Sequence, residues 1–157
     1  MIENQNTIVV IPARMASTRL PGKPLADIHG LPMILHVWKR AVEANVGQVL
    51  VAAAEIEIAE AVRQHGGDAI VTDPAHPSGS DRIAEALQLR DPEGRFNLVV
   101  NLPGELRTID ALSVQSCIAE LVKHESDGII GAIAGLALYE GRLDFKAALK
   151  AAKGAGK

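Results

Sequence analysis

Cysteine is nearly missing from this chain. Cys117 is the only one in 157 residues, which excludes an internal disulfide and any cysteine-rich metal site. It falls within an apolar helical pattern and reads as a small buried residue, not a nucleophile. Aromatics are almost as scarce. One Trp, one Tyr and two Phe make up 3% of the chain, so the core must be built mainly from Val, Ile, Leu and Ala. That scarcity also leaves few platforms for base stacking, and a formal net charge of −3 supplies no global attraction to nucleic acid. Long apolar runs are missing too: the longest, Gly128 to Tyr139, is too short to cross a bilayer and carries three glycines. The polar start Met1–Asn6 passes straight into a strand-like run, with no room for a signal peptide. The expectation is a cytoplasmic globular protein with no nucleic-acid and no membrane partner. At 157 residues and 48% hydrophobic content it reads as a single domain with a full core.

Two standard phosphate-binding signatures are absent as well. No G-x-G-x-x-G follows the first strand. A P-loop needs glycine where Ser17 stands and Ser or Thr where Pro24 stands, and Gly154-Ala155-Gly156-Lys157 has no helix after it. The apolar run Ile8–Ile11 leads instead into a loop, Pro12 to Leu25, with three cations, two hydroxyls, one glycine and three prolines. Loops leaving the carboxyl ends of buried strands are where open α/β sheets place ligands. Arg14, Arg19 and Lys23 make this one suited to a multiply anionic ligand, held by side-chain cations and scattered backbone amides. The prolines flanking Gly22-Lys23 fix φ and stiffen the segment. For Arg19 alone, a surface arginine paired with a nearby carboxylate is a competing reading.

Beyond that loop, strand and helix patterns alternate. Strands are predicted at Thr7–Ile11, Gln48–Ala53, Ala69–Thr72 and Asn97–Leu102. Helices are predicted at Met33–Ala44, at Glu55–His65 closing on Gly66-Gly67, from Ser80-Asp81 onward, and at Thr108–Lys123. Repeated units of this length imply a doubly wound, mostly parallel sheet in a three-layer α/β/α arrangement. The apolar Ile129–Leu138 could be strand or helix, and Leu143–Lys153 suggests an Ala- and Lys-rich helix.

Three chemically interesting loops each come after a strand in this scheme: Pro12–Leu25, Asp73–Ser80 and Leu102–Arg107. In the second, Ser80 or Asp81 could be an N-cap, while Ser78-Gly79 offers a close backbone approach suited to the edge of a pyrimidine. His76 has no metal-spaced partner and reads as a loop residue.

The motifs Ile11-Pro12-Ala13-Arg14, Ser17-Thr18-Arg19-Leu20-Pro21-Gly22-Lys23-Pro24-Leu25 and His76-Pro77-Ser78-Gly79-Ser80-Asp81-Arg82 resemble the 3-deoxy-manno-octulosonate cytidylyltransferase family, the CMP-Kdo synthetases. The resemblance covers about residues 7–127, leaving 128–157 divergent. It implies a nucleotide-diphospho-sugar transferase-like fold and transfer of CMP from CTP to the sugar acid Kdo, with pyrophosphate released. It implies Arg14 and Lys23 as the leading catalytic residues, Arg14, Arg19 and Lys23 on the triphosphate, and Pro12-Ala13 backbone at the base. Ser78, Gly79 and Ser80 would form the cytosine and ribose pocket, supported by Arg82. The family's third loop reads Gln-Gly-Asp, with the Asp on Mg2+; here Pro103, Gly104 and Glu105 stand there, making Glu105 the metal candidate, with an ordinary turn and Glu105 in solvent as an almost equal reading. Ala-Thr-Asp after the second strand becomes Ala53-Ala54-Glu55. The resemblance also implies a homodimer, but the family's dimer surface, sugar-acid contacts and second metal-binding Asp have no matching positions here. Three readings stay open: a cytidylyltransferase, a nucleotide-binding relic, and an α/β scaffold without ligand.

Overall fold

The computed structural model describes residues 6–17, 19–104 and 110–123. The chain divides into two compact units, Met1–Thr108 and Ile109–Lys157.

In the first unit four parallel strands form one sheet in the order β5-β4-β1-β6: β1 is Thr7–Ala13, β4 Gln48–Ala53, β5 Asp68–Val71 and β6 Leu98–Asn101. β1 lies between β4 and β6, with Ile8 opposite Gln48 and Val99. Residues 8–11 are at most 1% exposed, as an all-apolar run in a central strand requires. β1 runs two residues past its predicted end because Pro12 costs no ladder bond. Leu102 N–H reaches Val10 O at 3.0 Å, which puts the even-numbered residues of β1 on the β6 side. The donor that Pro12 lacks would point to where β6 has already ended.

Helices α1 (Met33–Ala44) and α2 (Ile56–Gln64) cover one face, and α3 (Gly79–Arg90) the other, giving the α/β/α layers. α1 and α2 bury Ile34, Leu35, Val37, Ile58 and Val62. Beneath α3 the core is Ile8, Val10, Leu50, Ala52, Ile83 and Ala86, with Phe96 at its margin. The chain runs from β1 through β4 to β5, then recrosses under α3 to β6 on the far side of β1. Such a reversal of direction marks the switch point outside the carboxyl ends of the strands.

Two local elements are absent from the sequence-based reading. A 3-10 turn spans Lys23–Leu25, and β2 (Asp27–Ile28) and β3 (Leu31–Pro32) form a small antiparallel hairpin. Its turn residues His29 and Gly30 both have positive φ, 52° and 83°, the two-residue geometry that matches strand twist. His36 of α1 ties to the hairpin through Nε2 and Ile28 O, 2.8 Å apart.

In the second unit, α4 is Ala111–Lys123. Asp110 caps it, Oδ1 accepting from Ser113 N–H at 2.7 Å. Cys117 is half-buried there, and burial raises its thiol pKa, which favours the inert thiol over the thiolate. Among the described residues no helix is long and apolar enough to cross a membrane. The segments expected at 129–138 and 143–153 lie outside the described residues.

Candidate active-site cleft

The carboxyl end of β1 opens into a cleft of about 700 Å³. Its walls come mainly from three stretches, Pro12–Arg14 with Ser17 and Lys23, then His76, Ser78 and Gly79 with Arg82, then Pro103–Gly104, with Met33 of α1 added. The three loops singled out in the sequence therefore meet at one place. The volume is in the range of small-ligand sites.

Pro12 is the keystone of the floor. A Cβ added to Gly79 would lie 3.2 Å from Pro12 Cγ, and one on Gly104 would lie 3.1 Å from Pro12 O. Glycine at both positions lets the α3 entry and the post-β6 turn close on the strand end. A Cβ at either position would crowd Pro12 by a few tenths of an ångström.

The basic loop is held at its base by backbone groups. Met15 N–H donates to Glu55 Oε2 at 2.9 Å, and Gly22 N–H to Met15 O at 2.9 Å. Gly22 is left-handed, with φ 73°, which lets the chain turn into the Lys23–Leu25 helix. The carboxylate of Glu55, at the start of α2, thus fixes a segment forty positions earlier in the chain. Within this frame Arg14 is exposed and Lys23 half-buried, both at the cleft. Arg19 is exposed and stands outside the lining.

The second wall is built on a buried charge. Arg82 is 2% exposed; its Nη1 donates to Thr72 Oγ1 at 2.7 Å and to Asp73 O at 3.0 Å. Thr72 in turn donates to Ala53 O at 3.2 Å, so the latch reaches β4. Burial lowers the pKa of Arg82, Glu55 opposes that shift and nearby Arg14 adds to it. An arginine stays cationic at neutral pH under such pressure. Ser78 is the actual N-cap of α3, accepting from Asp81 N–H at 3.2 Å. The helix therefore begins one residue before the expected Ser80, and Ser80 lies outside the lining. The helix N-terminus at Ser78-Gly79 faces the cleft, a disposition suited to anions.

His76, read from sequence as a plain loop residue, lines the cleft and bonds to Glu85 of α3 through Nε2. Glu85 also accepts Asp73 N–H at 2.9 Å. No local spacing announces these pairs, because each joins a loop residue to a helix nine or more positions away. The metal candidate Glu105 lies outside the described residues. Among the described residues no group of three or more His, Cys, Asp or Glu is assembled that could hold a metal ion.

The sequence and fold have relatives among known proteins. A family model described as Cytidylyltransferase covers residues 8–151. The 3-deoxy-manno-octulosonate cytidylyltransferase of Paramagnetospirillum magneticum is 58% identical over 116 residues, 74% of this chain and 47% of that protein. The enzyme of the same name from Rhodospirillum rubrum is 52% identical over 148 residues, 83% of this chain and 59% of that protein. The chain spans about half the length of the curated relatives it matches. Among solved structures, CMP:2-keto-3-deoxy-manno-octonic acid synthetase complexed with CTP superposes with a TM-score of 0.70 at 38% identity, over 76% of this chain and 48% of that one. A Leptospira borgpetersenii cytidylyltransferase, at 20% identity and TM-score 0.63 over 76% of this chain and 50% of that one, shares the fold. The chain belongs to the cytidylyltransferase family.

Proposed function

We propose that the cleft binds CTP and that the protein transfers CMP to the sugar acid Kdo, releasing pyrophosphate. The observation that supports this is the meeting of Arg14 and Lys23, Ser78-Gly79 with Arg82, and Pro103-Gly104 around one cleft at the end of β1. In the reaction the anomeric hydroxyl oxygen attacks the α-phosphorus in line. The new P–O bond forms as the bond from that phosphorus to the bridging oxygen breaks. Pyrophosphate leaves with the electron pair, and the hydroxyl proton passes to solvent.

Charge grows on the departing pyrophosphate, so fixed cations there lower the barrier by position and electrostatics. Arg14 and Lys23 fill that role, on a loop whose base Glu55 pins. Arg82 keeps the Thr72–Asp73 turn and the α3 entry in place for the base and ribose. Arg19, outside the lining, is assigned an outer contact with the triphosphate at most. Mg2+ would enter on the nucleotide, since such ions keep water and phosphate oxygens and need only one or two carboxylates. It would neutralise phosphate charge, with Glu105 as the proposed protein ligand.

Calorimetry with CTP and Mg2+ tests the first half of the reading, and pyrophosphate release with Kdo tests the second. Absence of CTP heat would sink the whole proposal. Heat without release would favour nucleotide binding without turnover, a reading supported by Pro103 and Gly104, which bring no side-chain donor to the cleft.

A further inference from the structure

The backbone of Arg14 is gripped on both sides by consecutive residues of the β4–α2 connection. Ala13 O accepts Ala54 N–H at 2.9 Å, and Met15 N–H donates to Glu55 Oε2 at 2.9 Å. The first bond is backbone to backbone, and any residue but proline at 54 would make it. The second belongs to one side chain. Met15 passes the constraint onward: its carbonyl oxygen accepts Gly22 N–H, also at 2.9 Å, and Gly22 precedes Lys23. A single carboxylate thus stands behind both cations assigned to the departing pyrophosphate. Glu55 is not among the residues lining the cleft, so it acts on the site through the loop.

Glu55 holds that place at a local disadvantage to its own helix. It occupies the N-cap position of α2 in extended backbone, φ −122° and ψ 147°, where Ser, Thr, Asp or Asn ordinarily accepts from a first-turn N–H. No side chain caps α2. The equivalent position of α3, φ −137° and ψ 162°, is Ser78, and its hydroxyl does accept from Asp81 N–H. Similar backbone geometry therefore carries a cap in one helix and a carboxylate committed to a distant loop in the other. Glu55 also favours the cationic form of Arg82, which nearby Arg14 opposes. Bond and charge are separable, because glutamine keeps an oxygen acceptor at the same reach and loses the charge.

We propose that Glu55 is a positioning residue for the polyphosphate: by accepting Met15 N–H it sets Arg14 and Lys23, and α2 forgoes its cap to allow this. The inference rests on the nucleotide reading and deepens it. A merely structural tie would change stability and binding together, whereas this role sets them against each other.

The test is calorimetric titration of the full chain with CTP and Mg2+, beside thermal unfolding, for wild type, E55S and E55Q. Serine is too short to reach Met15 but suits the N-cap of α2. E55S is expected to bind CTP about tenfold more weakly, the scale of a lost hydrogen bond to a charged group. It should melt at or above the wild-type temperature. E55Q should recover most of the lost affinity. Inorganic tripolyphosphate, competing with CTP, should weaken on E55S by the same factor, because the loss lies at the phosphates. A melting temperature that falls along with affinity in E55S would reduce Glu55 to a structural tie and overturn the inference. So would E55Q binding as weakly as E55S, which would assign the effect to charge. Tripolyphosphate that fails to compete in wild type, or competes equally well in E55S, would move the effect off the phosphates and overturn it too. Each of these results leaves CTP binding by wild type standing. Failure of wild type to bind either CTP or tripolyphosphate would overturn the nucleotide reading as well.

Discussion

The two faces of the sheet are covered by different kinds of helix. α1 and α2 meet it with hydrocarbon: Ile34, Leu35, Val37, Ile58 and Val62 are fully buried, and among the described residues no charged group of either helix is buried with them. α3 meets it with Ile83 and Ala86 and, one residue before them, the guanidinium of Arg82. Its first turns also carry Ser78, Asp81 and Glu85, all engaged in capping or holding the preceding turn. One face is packed for stability. The other gives up apolar burial to hold a polar loop at the cleft, and the same helix serves as core and as site wall. Folding and binding should therefore be separable on the α1–α2 side and entangled on the α3 side.

The sharpest contrast comes from paired truncations. Leu35→Ala should cost about 2–5 kcal/mol in denaturant unfolding, as buried leucines generally do, while the folded fraction keeps its CTP affinity. Arg82→Met should cost less, about 1–3 kcal/mol, because Asp73 O loses its buried donor. Its CTP affinity should fall tenfold or more. A fall in CTP affinity for Leu35→Ala matching that of Arg82→Met would break the distinction between the faces. Ser78→Ala removes the α3 cap and should cost about 1 kcal/mol, read as a lowered melting temperature, with a smaller loss of binding.

The smallest effect is the acid arm. Backbone donors from Arg95 and Phe96 hold the Asp91 carboxyl low, and Asp73 N–H and His76 do so for Glu85. A depressed folded pKa adds stability above the unfolded value, about 4 for carboxylates, and that stability drains away as pH falls through the folded value. Asp91→Asn should flatten the stability profile below about pH 4 and leave it unchanged in shape near neutrality. An unaltered acid arm would remove Asp91 from the stabilising set.

The sequence made the sheet legible because four apolar runs, each succeeded by a helical period or a polar loop, leave little choice of architecture. It also made legible the three loops, since each comes after one of those runs. The β2–β3 hairpin escaped because its strands are two residues long and its turn is His29-Gly30, not the usual Asn-Gly or Asp-Gly. The burial of Arg82 escaped because arginines are mostly exposed, and its partners lie nine and ten positions away. Glu55 stands in the sequence only as the last residue of Ala53-Ala54-Glu55, with no role attached, yet its carboxylate reaches across the fold to Met15. Contacts of that span are decided by how the crossovers close, which local pattern does not encode.

The bond from Gly22 to Met15 closes the basic loop at its neck, and Glu55 anchors the neck to the body of the protein. A loop shut in this way behaves as a cassette. Its tip can gain length between Met15 and Gly22 with only a logarithmic entropy cost, about 0.6 kcal/mol for each doubling. Arg14 and Lys23 flank the neck and would hold station while the tip varies. Because Ala16, Ser17 and Pro21 of that loop line the cleft, changes there would reshape the cleft wall for an altered acceptor while the anchored neck stays in place.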